Sequence, residues 1–219
     1  MSLTTSFSLL IFSRYPTPGE AKTRLIPALG TEGAAQLHQQ MTEAAIATAQ
    51  ATDLFNPKNG RNITVHFTGA ELKKFQTWLG PELQYLAQPL GGDLGQRMAS
   101  AFNTAFTLGR KHVIGIGTDV PELTSEILDQ ADQELDHHDI VLGPAADGGY
   151  YLLGMSSFTS ELFANIDWGT EHVYTQTVAI CTQLGLKISV LQTLNDVDRP
   201  EDLIQLRDDP RFVTFFSNY

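Results

Sequence analysis

Short apolar runs alternate with amphipathic stretches along the whole chain. The first, Phe7-Ser-Leu-Leu-Ile-Phe12, is apolar on both alternating faces and predicts a fully buried strand. Thr31 is placed to cap a helix that runs to about Thr52, with Ala35, Leu37, Met41, Ala45 and Ile46 forming one apolar stripe at helical spacing. Asn62-Ile-Thr-Val-His-Phe67 alternates as a strand does, residues 71–79 read as a short helix, and residues 83–86 as a short strand. Asp93 opens a helix that reaches Leu108 and stops at Gly109, a residue suited to the left-handed turn that ends helices. His112-Val-Ile-Gly-Ile-Gly117 is the next strand, and its glycines imply close packing. A helix over 125–135 capped by Thr124, strands over 139–143 and 150–154, a helix over 173–184, a strand over 186–191 and a short helix over 201–207 complete the pattern.

Strand and helix in alternation predict a single α/β domain across residues 1–219. The expected architecture is a Rossmann-like, mostly parallel mixed sheet with helices on both faces and at least one antiparallel strand near Tyr150. A chain of 219 residues is long enough for one such core and short for two. The turn-rich Asn56-Pro-Lys-Asn-Gly60 falls inside the same rhythm and reads as a loop, not a linker. A composition of 42% hydrophobic and 18% charged residues is ordinary for a soluble globular protein.

Charge narrows the partners. The net charge is -11, with only 14 lysines and arginines, and nucleic-acid affinity depends on neutralising phosphates with those residues. DNA and RNA are therefore not expected partners, whereas a small nucleotide needs no more than one local basic pocket. Cys181 is the only cysteine, which rules out an intramolecular disulfide and any cysteine-based metal cluster and points to a reducing compartment. The N-terminus lacks the positive region of a signal peptide and its apolar stretch is too short for a membrane span, so a cytoplasmic protein with no membrane partner is expected. The six histidines show no H-x-x-x-H spacing and carry no catalytic case, and His137-His138 reads as a solvated helix end.

Three of the basic residues fall in one loop. Phe12-Ser-Arg-Tyr-Pro-Thr-Pro-Gly-Glu-Ala-Lys-Thr-Arg-Leu25 follows the first strand, where open α/β sheets place ligands. Gly19 permits close backbone approach, Pro16 and Pro18 stiffen the loop, and Arg14, Lys22 and Arg24 supply charge for phosphate; the competing reading is an ordinary exposed loop that happens to be basic. Gly117-Thr-Asp-Val-Pro121 ends a buried strand, so Asp119 is a candidate ligand for Mg²⁺ or Mn²⁺, or else an Asx-type cap of the turn at Pro121. In Asn195-Asp-Val-Asp-Arg-Pro-Glu-Asp202, Asp198 is equally readable as a second metal ligand or as the cap of the helix started by Pro200, with Asp196 as an alternative ligand.

Two glycine-rich segments add candidate contacts. Gly143-Pro-Ala-Ala-Asp-Gly-Gly-Tyr-Tyr-Leu-Leu-Gly154 reads as a hairpin turn or, through Asp147, Gly148, Gly149, Tyr150 and Tyr151, as a site for a polar small molecule such as a sugar. Gly91-Gly-Asp-Leu-Gly-Gln-Arg-Met98 is a glycine-rich helix entry able to receive an anion or a nucleobase edge. Neither a dinucleotide fingerprint nor a P-loop is present. Trp78 and the Phe-rich end, Phe212, Phe215 and Phe216, fit a core or a contact between copies in a homo-oligomer.

These segments, in this order over about residues 8–206, resemble a bacterial glycosyltransferase-A-like family related to nucleotide-diphospho-sugar transferases, long of unknown function and in part named an arsenosugar-biosynthesis glycosyltransferase. The resemblance implies a nucleotide-diphospho-sugar transferase fold. It places Arg14, Gly19, Lys22, Thr23 and Arg24 on donor phosphates, Gly92, Asp93 and Arg97 beside base and ribose, Asp119 and Asp198 on the metal, and Asp147 to Tyr151 on the acceptor. Phe12-Ser13 stands where nucleotidyltransferase loops begin with a glycine pair, and Gly117-Thr-Asp119 carries one acid where many metal-dependent glycosyltransferases carry Asp-x-Asp.

The expectation is an Mg²⁺- or Mn²⁺-assisted glycosyltransferase moving a sugar from a nucleotide-sugar to a small-molecule acceptor. Lys22 and Asp147 are its candidate catalytic residues, with Asp147 as general base. The alternatives are a guanylyltransferase-like nucleotidyltransferase acting on a small phosphorylated acceptor and a non-catalytic nucleotide-binding module.

Overall fold

Strands β1 (Phe7–Arg14), β2 (Asn62–Thr68), β3 (Gln84–Ala87), β4 (His112–Ile116), β5 (Ile140–Pro144), β6 (Tyr150–Met155) and β7 (Ile188–Val190) form one sheet in the order β3-β2-β1-β4-β6-β5-β7. The structure is a computed structural model that describes residues 7–52 and 62–217; the loop read at 56–60 lies outside them. Every neighbouring pair is parallel except those made by β6, which runs antiparallel to both β4 and β5. The reversed strand is therefore the one expected near Tyr150. From β1 the chain goes first to β2 on one side and later to β4 on the other, so the order reverses between β1 and β4. Open α/β sheets have their crevice at such a point.

Alternation along β1 sorts its side chains between two cores. Leu9 and Ile11 join a cluster with Val65, Phe67, Ile116 and Leu128, while Leu10 joins Met98, Phe102, Leu142, Leu153 and Cys181 on the opposite face. Helices α1 (Ile26–Ala51), α2 (Leu72–Leu79), α3 (Leu94–Thr107), α4 (Ser125–Glu134) and α5 (Val173–Leu184) cover the faces, and a short α6 (Val213–Phe216) follows the expected elements. α1 begins earlier than Thr31: a first turn carrying Pro27 breaks at Gly30, whose φ of 70° no other residue adopts cheaply, and the long segment continues from Thr31. The helix expected over 201–207 is a 3₁₀ helix, Pro200–Leu206. Thr124 precedes α4 as expected but makes no side-chain capping bond.

A third core cluster positions the site. Leu25, Leu29, Leu37 and Met41 pack with Val197, Leu203, Leu206, Phe212 and Phe215. Of the Phe-rich end, Phe212 and Phe215 are thus core residues, each burial worth about 1.5–3 kcal/mol, and they clamp the end of the basic loop against residues 197–206. The two strand glycines differ. A Cβ at Gly115 would lie 2.8 Å from the Phe102 ring, whereas Gly117 has open space, so close packing explains only the first.

Candidate functional site

The basic loop ends where two acidic segments arrive. Glu20 and Ala21 donate their N–H groups to the Thr17 carbonyl, closing a turn through Gly19 at φ 82°. Lys22 then takes the left-handed conformation, φ 48°, which is uncommon for a residue with a side chain and clusters at functional sites. Its ammonium is buried at 5% exposure, donates to the Val197 carbonyl at 2.6 Å, and lies 3.1 Å from Asp119 and 3.6 Å from Asp198. Arg24 pairs with the other oxygen of Asp198. Lys22 and Arg24, read in the sequence as charge for phosphate, are both paired with acids, because the third core cluster brings Val197 and Asp198 onto the loop.

Neither the Asp119 nor the Asp198 carboxylate acts as a backbone cap among the described hydrogen bonds. Helix capping at residue 200 falls to Asp202, whose carboxylate accepts the N–H groups of Asp198 at 2.9 Å and Arg199 at 2.6 Å. This leaves the Asp198 carboxylate to the two cations. Asp119, at 47% exposure, has Lys22 as its side-chain partner among the described residues, and its backbone carbonyl accepts from Val197 at 2.9 Å. Two carboxylates converging on one ammonium form a place suited to a cation, and Mg²⁺ is typically held by one or two carboxylates plus substrate phosphates. The donor set fits a divalent ion on that basis, although no cluster of three acidic, His or Cys ligands occurs among the described residues.

A cavity of about 450 Å³ opens at the β1–β4 switch point. Its wall carries Arg14, Arg97, Asp119, Asp147, Gly149, Tyr150 and Tyr151 from the expected set, on an apolar lining that includes Phe12, Met98 and Trp168. A second cavity of about 630 Å³ contains Arg24 and Asp198, and Asp147, Gly169, Thr170 and Asp196 belong to both walls. Asp119 faces one cavity and Asp198 the other, so Lys22 sits where the two meet. Lys22 itself, Gly19, Thr23, Gly92, Asp93 and Gly148 line neither, so Lys22 reaches the cavities only through Asp119 and Asp198.

Asp93 is occupied as a helix cap: it accepts the Gln96 N–H at 2.8 Å while Gln96 accepts from the Asp93 N–H. Arg97 is steered by the same turn, donating to the Asp93 carbonyl and to Gln88. Gly148 packs directly on the backbone of Glu171. Asp147, an exposed residue, accepts the Gly149 N–H at 2.8 Å, which aims its carboxylate without burying it.

Several groups here escaped the sequence reading. His38, taken as one of six unremarkable histidines, is buried in the cavity wall and bonds the Arg14 carbonyl through Nε2 at 2.9 Å; burial lowers its pKa, partly opposed by Asp119. One helical turn on, Thr42 links Ser13 to Thr118 through hydroxyl contacts of 3.4 Å, so α1 spans the ends of β1 and β4 beneath Arg14 and Asp119. Their signal was positional: His38 and Thr42, four residues apart, interrupt an otherwise apolar stripe. Asp196 has its pKa pushed up to about 6, first by burial and then by Asp147. Burial raises the Tyr151 hydroxyl to about 12 and Tyr150 further, and the Tyr150 hydroxyl has no partner among the described residues.

The comparisons with known proteins agree with this architecture. Residues 48–170 match the model of a family described as uncharacterized protein conserved in bacteria, DUF2064, and the chain belongs to that family. No curated protein matches the sequence. A structure from Desulfovibrio desulfuricans G20, provisionally described as a nucleotide-diphospho-sugar transferase, is 30% identical, covers 98% of this chain and 96% of its own, and superposes with a TM-score of 0.87.

More distant structures share the fold alone. CMP:2-keto-3-deoxy-manno-octonic acid synthetase in complex with CTP is 10% identical, with a TM-score of 0.59 and coverage of 97% of this chain and 99% of its own. Rv0371c of Mycobacterium tuberculosis H37Rv in complex with manganese is 14% identical, with a TM-score of 0.55 and coverage of 94% and 100%. The fold is thus that of the nucleotide-diphospho-sugar transferases, and among the described residues no helix is long and apolar enough to cross a membrane.

Proposed function

We propose that this family member is a transferase that binds a nucleotide-sugar together with Mg²⁺ or Mn²⁺ and passes the sugar to a small acceptor. The observation that carries the reading is the placement of Lys22 between Asp119 and Asp198 at the meeting point of two cavities. One cavity then takes the donor, the other the acceptor, and the charged cluster lies where the diphosphate must depart.

In this reading Arg14 and Arg97 bind the diphosphate from the wall of the first cavity, and Lys22 and Arg24 stabilise charge that develops as it leaves. A divalent ion held by Asp119 and Asp198 would supply further neutralisation of that charge. Asp147 stands in both walls, and its carboxylate is aimed by the Gly149 N–H, so it is the group placed to take the acceptor's hydroxyl proton. Holding both substrates in adjoining cavities supplies the positional part of the rate.

Product identity tests the reading. With Mn²⁺ and a panel of nucleotide-sugars, the expected product is nucleoside diphosphate, released slowly to water and faster with an acceptor. Pyrophosphate formed from a nucleoside triphosphate, with no diphosphate from any nucleotide-sugar, would assign nucleotidyl transfer. Nucleotide affinity without turnover of either kind would leave a binding module.

A further inference from the structure

We propose that Trp168 is the surface on which the ring of the transferred sugar lies, a specificity-determining contact that rests on the nucleotide-sugar reading above. The cavity of about 450 Å³ draws its wall from two unlike sets of residues. One is polar, with Arg14, Thr68, Gln88 and Arg97. The other comes from the turn between β5 and β6 and from residues 168–170, with Asp147, Tyr150, Trp168 and Thr170. Gly169 and Thr170 continue into the wall of the second cavity and are joined there by Glu171. The segment that carries Trp168 therefore divides the two cavities, and a group handed from one to the other passes beside it.

The chemistry of that wall matches a sugar ring, which presents an apolar C–H face and a rim of hydroxyls. Trp168 and Tyr150 meet edge to face, ring centroids 6.3 Å apart and planes at 84°, with the Asp147 carboxylate and the Thr170 hydroxyl in the same wall. Polar groups suited to phosphates and a base edge, Gln88 and Arg97, are present in the same cavity.

The indole is also fixed in place. A Cβ at Gly95 would lie 2.2 Å from Trp168 Nε1 and 2.6 Å from its Cε2, so the first turn of α3 accepts the ring only because residue 95 has no side chain. Asp167 and Gln176 exchange two hydrogen bonds, N–H to Oε1 at 2.8 Å and Nε2 to Oδ2 at 2.6 Å, and the Thr170 hydroxyl donates to the Asp167 carbonyl at 2.7 Å. The indole N–H has no acceptor among the described residues, so shape and not a hydrogen bond sets the ring's position. A rigid aromatic with two torsions is an economical binding surface, since little freedom is lost on contact.

The chain has two tryptophans, so Trp78→Phe leaves Trp168 emission as a report on this wall alone. That variant is titrated, with Mn²⁺, with the glucose conjugates of UDP, GDP, ADP, CDP and dTDP and with each matching diphosphate. The expected result is an emission change with a conjugate and none with its diphosphate. By calorimetry, Trp168→Ala should then weaken the conjugate about fivefold to tenfold and leave the diphosphate unchanged, with Trp168→Phe restoring most of the loss. Trp168→Leu, apolar but without a ring, takes the place of the alanine variant if a thermal melt shows that variant unfolded. Equal changes for conjugate and diphosphate would overturn the proposal and leave the donor reading standing. Failure of both to bind would remove the donor reading and the proposal with it.

Discussion

The two acidic surfaces that meet at Asp198 handle charge in opposite ways. On the side of the basic loop, charges are paired: Arg14 lies 4.0 Å from Glu20, Lys22 lies between Asp119 and Asp198, and Arg24 holds Asp198. In the second cavity, Asp147, Glu171, Asp196, Asp198, Glu201 and Asp202 face Arg24 and Arg199. Exposed ion pairs contribute little to stability, so the paired side is not explained as a fold-stabilising device. What distinguishes it is the buried Lys22, fixed by the Val197 carbonyl and by backbone strain. On the proposed transferase reading, the paired side is where phosphate and a metal ion would exchange ionic partners with Lys22, while the second cavity, with six carboxylates against two arginines, would be the one less suited to an anion.

The largest effect expected from breaking this contrast is at Lys22. Lys22→Met leaves Asp119 and Asp198 facing each other across an apolar chain. Because both carboxylates keep contact with water, the stability cost should be about 1–3 kcal/mol, and nucleoside diphosphate affinity should fall at least about tenfold. Mn²⁺ should raise the melting temperature more in this variant than in the native chain, since the ion takes over the role of the ammonium. A variant that melts and binds as the native protein does, with or without Mn²⁺, would reduce Lys22 to an ordinary loop residue.

The two sides should also respond to acid with opposite sign. His66, under the basic end on β2, is buried against Phe12 and its pKa is lowered to about 4 by burial. The folded state therefore binds fewer protons than the unfolded state between about pH 6.5 and 4, and stability is lost as pH falls through that window, by about 3 kcal/mol. Asp196 has its pKa raised to about 6, so its contribution runs the other way: stability is greatest below the ordinary carboxylate range and is lost as pH rises towards 6. Denaturant melts from pH 4 to 8 should show His66→Phe flattening the acid limb. Asp196→Asn should stabilise the protein by about 1–2 kcal/mol at pH 7, a value discounted because the carboxylate is only half-buried. If both variants shifted the profile in the same direction, the electrostatic difference between the sides would be lost.

What the sequence made legible follows from the range of the forces involved. Strands and helices are set by local periodicity, and the capping pair Asp93–Gln96, the reversed strand at Tyr150 and the switch-point loop could all be read from neighbours along the chain. The pairing of Lys22 with residues 197 and 198 could not, since it depends on a core cluster that joins Leu25 to Phe212. His38 and Trp168 were missed for the same reason: a histidine in an apolar stripe and a tryptophan in a loop acquire meaning only when the cavity wall is assembled. Asp198 remained ambiguous in sequence because two carboxylates four residues apart, Asp198 and Asp202, are each suited to the same helix start.

That ambiguity yields the smallest and most discriminating prediction. Asp202 accepts two backbone N–H groups at the start of the 3₁₀ helix, whereas Asp198 is committed to Lys22 and Arg24. Asp202→Ala should therefore cost about 1 kcal/mol, the usual loss for a missing cap, and leave a Mn²⁺-dependent rise in melting temperature mostly intact. Asp198→Ala should cost less, because Lys22 keeps Asp119 and the Val197 carbonyl, yet it should abolish that Mn²⁺ response. Thermal melts of the two variants with and without Mn²⁺ separate the roles. The reverse ranking, with the larger cost at Asp198 and the lost Mn²⁺ response at Asp202, would make Asp198 the cap and move the cation site away from the loop that Lys22 closes.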